Sequence, residues 1–238
     1  MDRLYARVSQ DGRLIDVVVA NIGFGEFPGL ADITEEHLDN ILGINVKGTV
    51  FTVRKALPLL NDGASIVLVT SMASTSGQAG LSVYSASKAA VRSFARSWAN
   101  ELSGPGIRVN ALAPGGTDTP AMDAALEASG LDAVARDQWR VEHSAAIPLR
   151  RPARPEEQAA AALVLASPES SYITGVELAA DGGATQLGFG LVQDVPPGFG
   201  RGLVRTLVPG RRRRSRRPAR TAYGPRSRRR PAMPARAG

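Results

Sequence analysis

The 238-residue chain has no cysteine and only two histidines. Disulfide frameworks, thiol catalysis and Cys/His metal sites are therefore excluded, and no metal is expected. No apolar run approaches the roughly 20 residues needed to span a bilayer, and Met1-Asp2-Arg3 begins no signal-peptide pattern. A cysteine-free chain is compatible with a reducing compartment, so the expected location is cytoplasmic. No internal repeat is visible, and a composition that is 43% hydrophobic provides material for one core.

Lysine is missing from residues 189–238, which hold 14 Arg and a single acidic residue, Asp194. That stretch carries a formal +13 against +7 for the whole chain, leaving residues 1–188 at −6. Runs such as Arg211 to Arg214 and Arg228 to Arg230, broken by Pro, Gly, Ser and Ala, bury too little apolar surface to offset chain entropy. The expectation is a globular domain over 1–188 and a disordered, Arg-rich tail over 189–238. Such a tail can neutralise phosphates, which is the one route to nucleic acid. Tyr223 is its only aromatic among the runs, so no stacking array accompanies the charge. Arginine without lysine, mixed with Pro, Gly and Ala, is also what GC-rich sequence gives when translated past a lost stop or in a wrong frame. That origin is favoured over an adventitious polyanion binder, and both over a dedicated nucleic-acid module.

The densest chemistry lies at Tyr84-Ser85-Ala86-Ser87-Lys88, with Ser71 thirteen residues upstream and Asn45 further back. On a helix Tyr84 and Lys88 share a face at i and i+4. A free tyrosine, with a pKa of about 10, is a poor proton donor or acceptor near neutrality unless a cation stabilises its phenolate. Lys88 can supply that field. The apolar run Ile66-Val67-Leu68-Val69 reads as a buried strand over 64–70 that delivers Ser71 at its carboxyl end, where its hydroxyl could bind a substrate oxygen. A lone Tyr-x-x-x-Lys is a common surface pair. The plain readings of Asn45 and Ser71 are a helix-interior amide bonded to backbone and a strand-end turn former.

The pair is not alone. Ala20-Asn21-Ile22-Gly23 follows an apolar strand, Asn45-Val46-Lys47-Gly48 lies in a helical stretch, Arg108-Val109-Asn110 runs into Pro114-Gly115, and Thr174-Gly175 precedes Asp181-Gly182-Gly183. In order and spacing these resemble the classical short-chain dehydrogenase/reductases over about residues 1–188. The resemblance implies an α/β, Rossmann-like doubly wound parallel sheet and an NAD(P)-dependent oxidoreductase that interconverts a carbonyl and a secondary alcohol. It implies a small-molecule substrate and a homo-oligomer, with no membrane partner. By the same resemblance Tyr84 is the general acid or base, and Lys88 lowers its pKa and holds the nicotinamide ribose. Ser71 polarises the carbonyl, and Asn45 positions a water linking Lys88 to solvent. Asn21, Gly23, Tyr84, Lys88, Pro114, Gly115, Thr117 and Thr119 are the implied cofactor-binding residues, although Thr117 and Thr119 also read as turn and helix-cap residues.

One expected part is missing. A dinucleotide site needs a glycine-rich turn whose amides meet the pyrophosphate at a helix N-terminus, and residues 1–20 hold only Gly12. The family's Thr-Gly-x-x-x-Gly-x-Gly and first strands are therefore expected to be absent. The fold is read as truncated, with Val17 to Ala20 as an open sheet edge, and activity as impaired. The choice between NAD and NADP is unreadable. The alternative is a catalytically inactive remnant whose basic tail binds polyanions.

The remaining elements are expected as one helix from Glu35 to Leu60 capped by Thr34, a helix from Val83 to Leu102, and a strand from Ile107 to Ala113. Short helices at 122–126 and 134–143 form a flap, followed by a helix over 154–165 and a strand over 176–180. Trp139 and His143, at i and i+4, could line a substrate pocket. The favoured reading has Trp139 packing the flap and His143 solvated.

Overall fold

The computed structural model describes residues 1–128 and 130–187, so the tail expected at 189–238 lies outside the described residues. Four strands, β1 (Ile15–Ala20), β2 (Leu60–Val69), β3 (Arg108–Pro114) and β4 (Glu177–Ala180), form one parallel sheet in the order β1-β2-β3-β4. Val18 pairs with Ile66, Ile66 with Val109, and Ala111 with Glu177. All-parallel pairing requires a crossover between every two strands, and helices supply these crossovers on both faces.

The period-2 alternation of the strands sorts the core into two layers. Val18, Ala20, Ile66, Leu68, Val109 and Ala111 face α3 (Gly48–Ala56) and α4 (Ser82–Glu101), against Val53, Ala56, Val91 and Ala95. Val67 and Leu112 face the other way, onto Leu165 of α7 (Pro155–Ala166). Helix α7 covers β2 and β3 but stops short of β1, which leaves Val17 and Val19 nearly half exposed. Among the described residues β1 is the open edge that the sequence leads one to expect.

The amino-terminal helix α1 (Asp2–Gln10) buries no residue. It is tied down by Tyr5, whose hydroxyl donates to Thr52 O at 2.8 Å, and by an ion pair between Asp2 and Lys55.

The helix expected from Glu35 to Leu60 is not continuous. Helix α2 (Glu35–Ile41), with Thr34 Oγ1 accepting from His37 N at 3.1 Å, passes into a π-helical stretch at Leu42–Lys47 before α3 begins. A one-turn 3-10 segment at Leu57–Leu59, containing Pro58, follows α3. The π-turn inserts an extra residue, which lets Asn45 turn inward, and such bulges cluster at functional sites. The flap forms as α5 (Pro120–Ala128) and α6 (Ala133–Ala146), and α6 buries no residue fully.

Candidate active site

Three segments meet at the carboxyl ends of β1 and β2. Beyond β2, Thr70 N donates to Leu112 O at 2.7 Å, and Ser71 starts a 3-10 turn at Met72–Ser74. Ser71 Oγ accepts from Ala73 N at 3.2 Å. That N–H occupies a lone pair and leaves the hydroxyl proton free to be donated. Tyr84 on α4 is the group it acts on: burial pushes the phenol above 10, and the Ser71 hydroxyl works in the opposite direction. Phe27 packs edge-on against the Tyr84 ring with centroids 5.8 Å apart.

Lys88 is 4% exposed, and its ammonium donates to Ile22 O and Val69 O, each at 3.1 Å. One strand end and the loop after another are thus fastened to one cation. Burial brings its pKa down to about 8. Lys88 Nζ lies 6.0 Å from the phenol ring centre and is engaged by two carbonyls, and burial of the phenol outweighs any stabilisation of its phenolate. Gly23 makes room for the ammonium: a Cβ there would stand 2.7 Å from Lys88 Nζ, and its φ of +153° suits glycine.

Asn45 is fully buried and uses its whole side chain. Its Oδ1 accepts from Phe24 N at 3.0 Å, while Nδ2 donates to Phe24 O at 3.1 Å and to Ser87 Oγ at 3.0 Å. Ser87 Oγ in turn donates to Tyr84 O at 2.7 Å. The π-turn of Asn45, the loop after β1 and the first turn of α4 therefore form one hydrogen-bonded unit. The plain reading of Asn45, an amide bonded to backbone, describes its side chain. Ser87 is a site residue the sequence reading passed over, although it stands inside the Tyr84 to Lys88 motif.

The implied cofactor residues fall into two groups. Asn21 and Gly23 lie exposed just past the end of β1, Gly23 beside Lys88. Pro114 ends β3, and Gly115 N donates to Ala180 O at 3.0 Å. A Cβ on Gly115 would come 2.5 Å from Asp181 Cα, so this glycine is required by the neighbouring chain itself. Thr117 Oγ1 donates to Gly115 O at 3.1 Å and accepts from Gln158 Nε2 at 3.3 Å. Thr119 Oγ1 accepts from Met122 N at 3.3 Å, which makes it the cap of α5.

Trp139 and His143 stack with ring centres 4.6 Å apart and border a cavity of about 220 Å³ with Gly116, Thr117, Asp118 and Met122. The expectation of a solvated His143 is corrected. Its Nε2 is buried without a hydrogen-bond partner, so close to Gly116 that a Cβ there would stand 2.6 Å away, and burial lowers its pKa. Among the described residues no helix is long and apolar enough to cross a membrane.

Comparison with known proteins places the described domain in a family. The family model described as enoyl-(acyl carrier protein) reductase matches residues 1–185. The chain is 42% identical over 189 residues to oxidoreductase asL5 of Sarocladium schorii, covering 79% of this chain and 72% of that protein. It is 39% identical over 178 residues to the 3-oxoacyl-[acyl-carrier-protein] reductase FabG of Thermotoga maritima, covering 74% and 68%. A solved short chain dehydrogenase/reductase family protein superposes with a TM-score of 0.63 at 36% identity over 76% of this chain and 72% of that one. The aldohexose dehydrogenase of Thermoplasma acidophilum gives 0.72 at 28% identity, over 77% and 72%.

Proposed function

Because the chain belongs to the short-chain dehydrogenase/reductase family, enzymes that use NAD or NADP, we propose that it interconverts a carbonyl and a secondary alcohol at Tyr84. The observation that supports this most is the buried Lys88 ammonium 6.0 Å from the ring centre of the half-buried Tyr84, whose phenol the Ser71 hydroxyl also influences. When bound, the nicotinamide supplies or accepts a hydride. Tyr84 gives its proton to the developing alkoxide in reduction and takes one from the alcohol in oxidation. Ser71, with its lone pair held by Ala73 N, donates to the substrate oxygen. Lys88 has three ammonium hydrogens and gives two to Ile22 O and Val69 O. The third would face the ribose hydroxyls, and Gly23 leaves the ammonium the room to take that position. Asn21, Pro114, Gly115, Thr117 and Thr119 would border the cofactor. In this reading Asn45 holds the loop and helix in register, and its role in a water relay is a further part of the proposal.

Residues 1–20 carry Gly12 alone, so they place no amide-lined phosphate turn ahead of β1. We accordingly assign the chain weak cofactor affinity and low turnover, in the cytoplasm. A homo-oligomer would form through the face of α3 and α4, where Val50, Leu57 and Trp98 border an open cavity of about 220 Å³. The test is calorimetric titration of the full chain with NADH and NADPH, followed by turnover of a panel of ketones and alcohols at millimolar cofactor. A micromolar dissociation constant, equivalent to about 8 kcal/mol, would overturn the assignment of weak binding. Tyr84→Phe should abolish whatever turnover the parent shows, and a Phe variant as active as its parent would sink the catalytic reading. A parent inactive on every substrate would favour the inactive remnant with a polyanion-binding tail.

A further inference from the structure

The side chain of Glu177, the first residue of β4, is 12% exposed and reaches the end of β2, the turn after it and α4. Its Oε1 accepts from Thr70 Oγ1 at 2.8 Å and from Ser74 Oγ at 3.1 Å. These two residues bracket Ser71, one just past the end of β2 and one at the end of its 3-10 turn. Its Oε2 lies 2.7 Å from Arg92 Nε, an ion pair whose N–H is not aligned as a hydrogen bond. Arg92 stands one helical turn beyond Lys88 and two beyond Tyr84 on α4. Thr70 Oγ1 also lies 3.0 Å from Leu112 O, but that carbonyl already accepts from Thr70 N at 2.7 Å, so the carboxylate is the better acceptor for the hydroxyl proton.

One carboxylate therefore ties the turn that carries Ser71 to the helix that carries Tyr84. The alignment matters because Ser71 Oγ is anchored by Ala73 N while its hydroxyl must stay close enough to the phenol to act on it. A strand end and a helix otherwise joined by packing can slide by a fraction of an ångström, and a charged, low-exposure clamp removes that freedom. We propose that Glu177 is a positioning residue for the reaction, acting through Thr70, Ser74 and Arg92 to hold the turn that carries Ser71 against the helix that carries Tyr84. This rests on the assignment of Ser71 and Tyr84 as the reacting pair.

The experiment is an NMR titration of the full chain carrying ¹³Cζ-labelled tyrosine, which resolves four phenols and does not depend on turnover. Tyr5, whose hydroxyl donates to Thr52 O away from the clamp, serves as the internal reference for an intact fold. Ser71→Ala should raise the Tyr84 pKa by about 0.5–1 unit, the worth of one neutral hydrogen bond. Glu177→Ala should raise it by a similar amount, and the double variant by no more than Ser71→Ala alone. A Tyr84 value moved by Ser71→Ala but unchanged by Glu177→Ala overturns the proposal and leaves the catalytic pair standing. A value unmoved by Ser71→Ala removes the pair, and with it anything for Glu177 to position. If Tyr5 shifts as well in Glu177→Ala, Ser74→Ala, which removes only one tether, decides by the same two criteria.

Discussion

Two regions border the candidate site, and they are held in different ways. Around Asn45 and Lys88 the polar atoms are paired with backbone: Phe24 N and O, Ile22 O and Val69 O each meet a side chain. The flap of α5 and α6 has the reverse character. Helix α6 buries none of its residues fully, and its histidine keeps a buried nitrogen without a partner. The first region is rigid because each side chain ties distant pieces of chain together, and moving one would strand several buried groups. The second has few such obligations, so its residues can change without cost to the fold. In the proposed reaction proton transfer would be built on the fixed region, and recognition of the rest of the substrate would fall to the free one.

The sharpest way to break this contrast is Asn45→Ala. It leaves the half-buried Phe24 N and O and the fully buried Ser87 Oγ without their partner. The expected loss is about 3–5 kcal/mol of unfolding free energy by urea titration. A loss below about 1 kcal/mol would mean the three bonds are replaced by water, and the region is less rigid than its geometry implies.

Lys88 gives a pH signature. Its pKa falls from an ordinary 10.5 to about 8 because burial penalises the ammonium. Between those values the unfolded chain binds more protons than the folded one, so stability rises with pH across that window. At lower pH both states are protonated and the penalty stands in full. Relative to Lys88→Met, the parent should gain roughly 3 kcal/mol between about pH 8 and 10.5. The Tyr84 contribution, which has the opposite sign above about pH 10, is present in both proteins and largely cancels. Parallel stability curves for the two proteins over this window would show that the ammonium is effectively solvated.

The rigid region was legible in the sequence because its chemistry is local. Tyr84 and Lys88 are one helical turn apart, Ser71 ends an apolar strand, and Asn45 and Gly23 sit in recognisable runs. What could not be read was long-range. Ser87 meets Asn45 across 42 residues, and Glu177 meets Ser74 across 103, with no spacing rule to announce either contact. The helix expected through 35–60 was broken for the same reason. An inward amide binding a loop 21 residues earlier imposes the π-turn, while the apolar periodicity continues across it. The direction of the Tyr84 shift was also out of reach, because burial of the phenol and the two carbonyls that engage Lys88 come from tertiary structure.

On the flap the effects should be smaller. Trp139→Ala removes the stacking partner of His143 but no buried hydrogen bond, and should cost about 1 kcal/mol. A loss comparable to that of Asn45→Ala would erase the distinction between the two regions.

His143→Gln should have the smallest effect, within about 0.5 kcal/mol at neutral pH, because the ring keeps no partner at Nε2 that glutamine would orphan. Its consequence appears in acid. Burial holds the His143 pKa below its ordinary 6.5, so as pH falls through 6.5 the unfolded chain takes up a proton before the folded one does. The parent therefore loses stability on that limb, and His143→Gln, which cannot bind the proton, should lose less. Urea midpoints at pH 7 and pH 5 measure the difference. An equal fall in the two proteins would mean that His143 titrates as it does in water, that the stack with Trp139 opens freely, and that the cavity beside Gly116 offers a substrate no preformed wall.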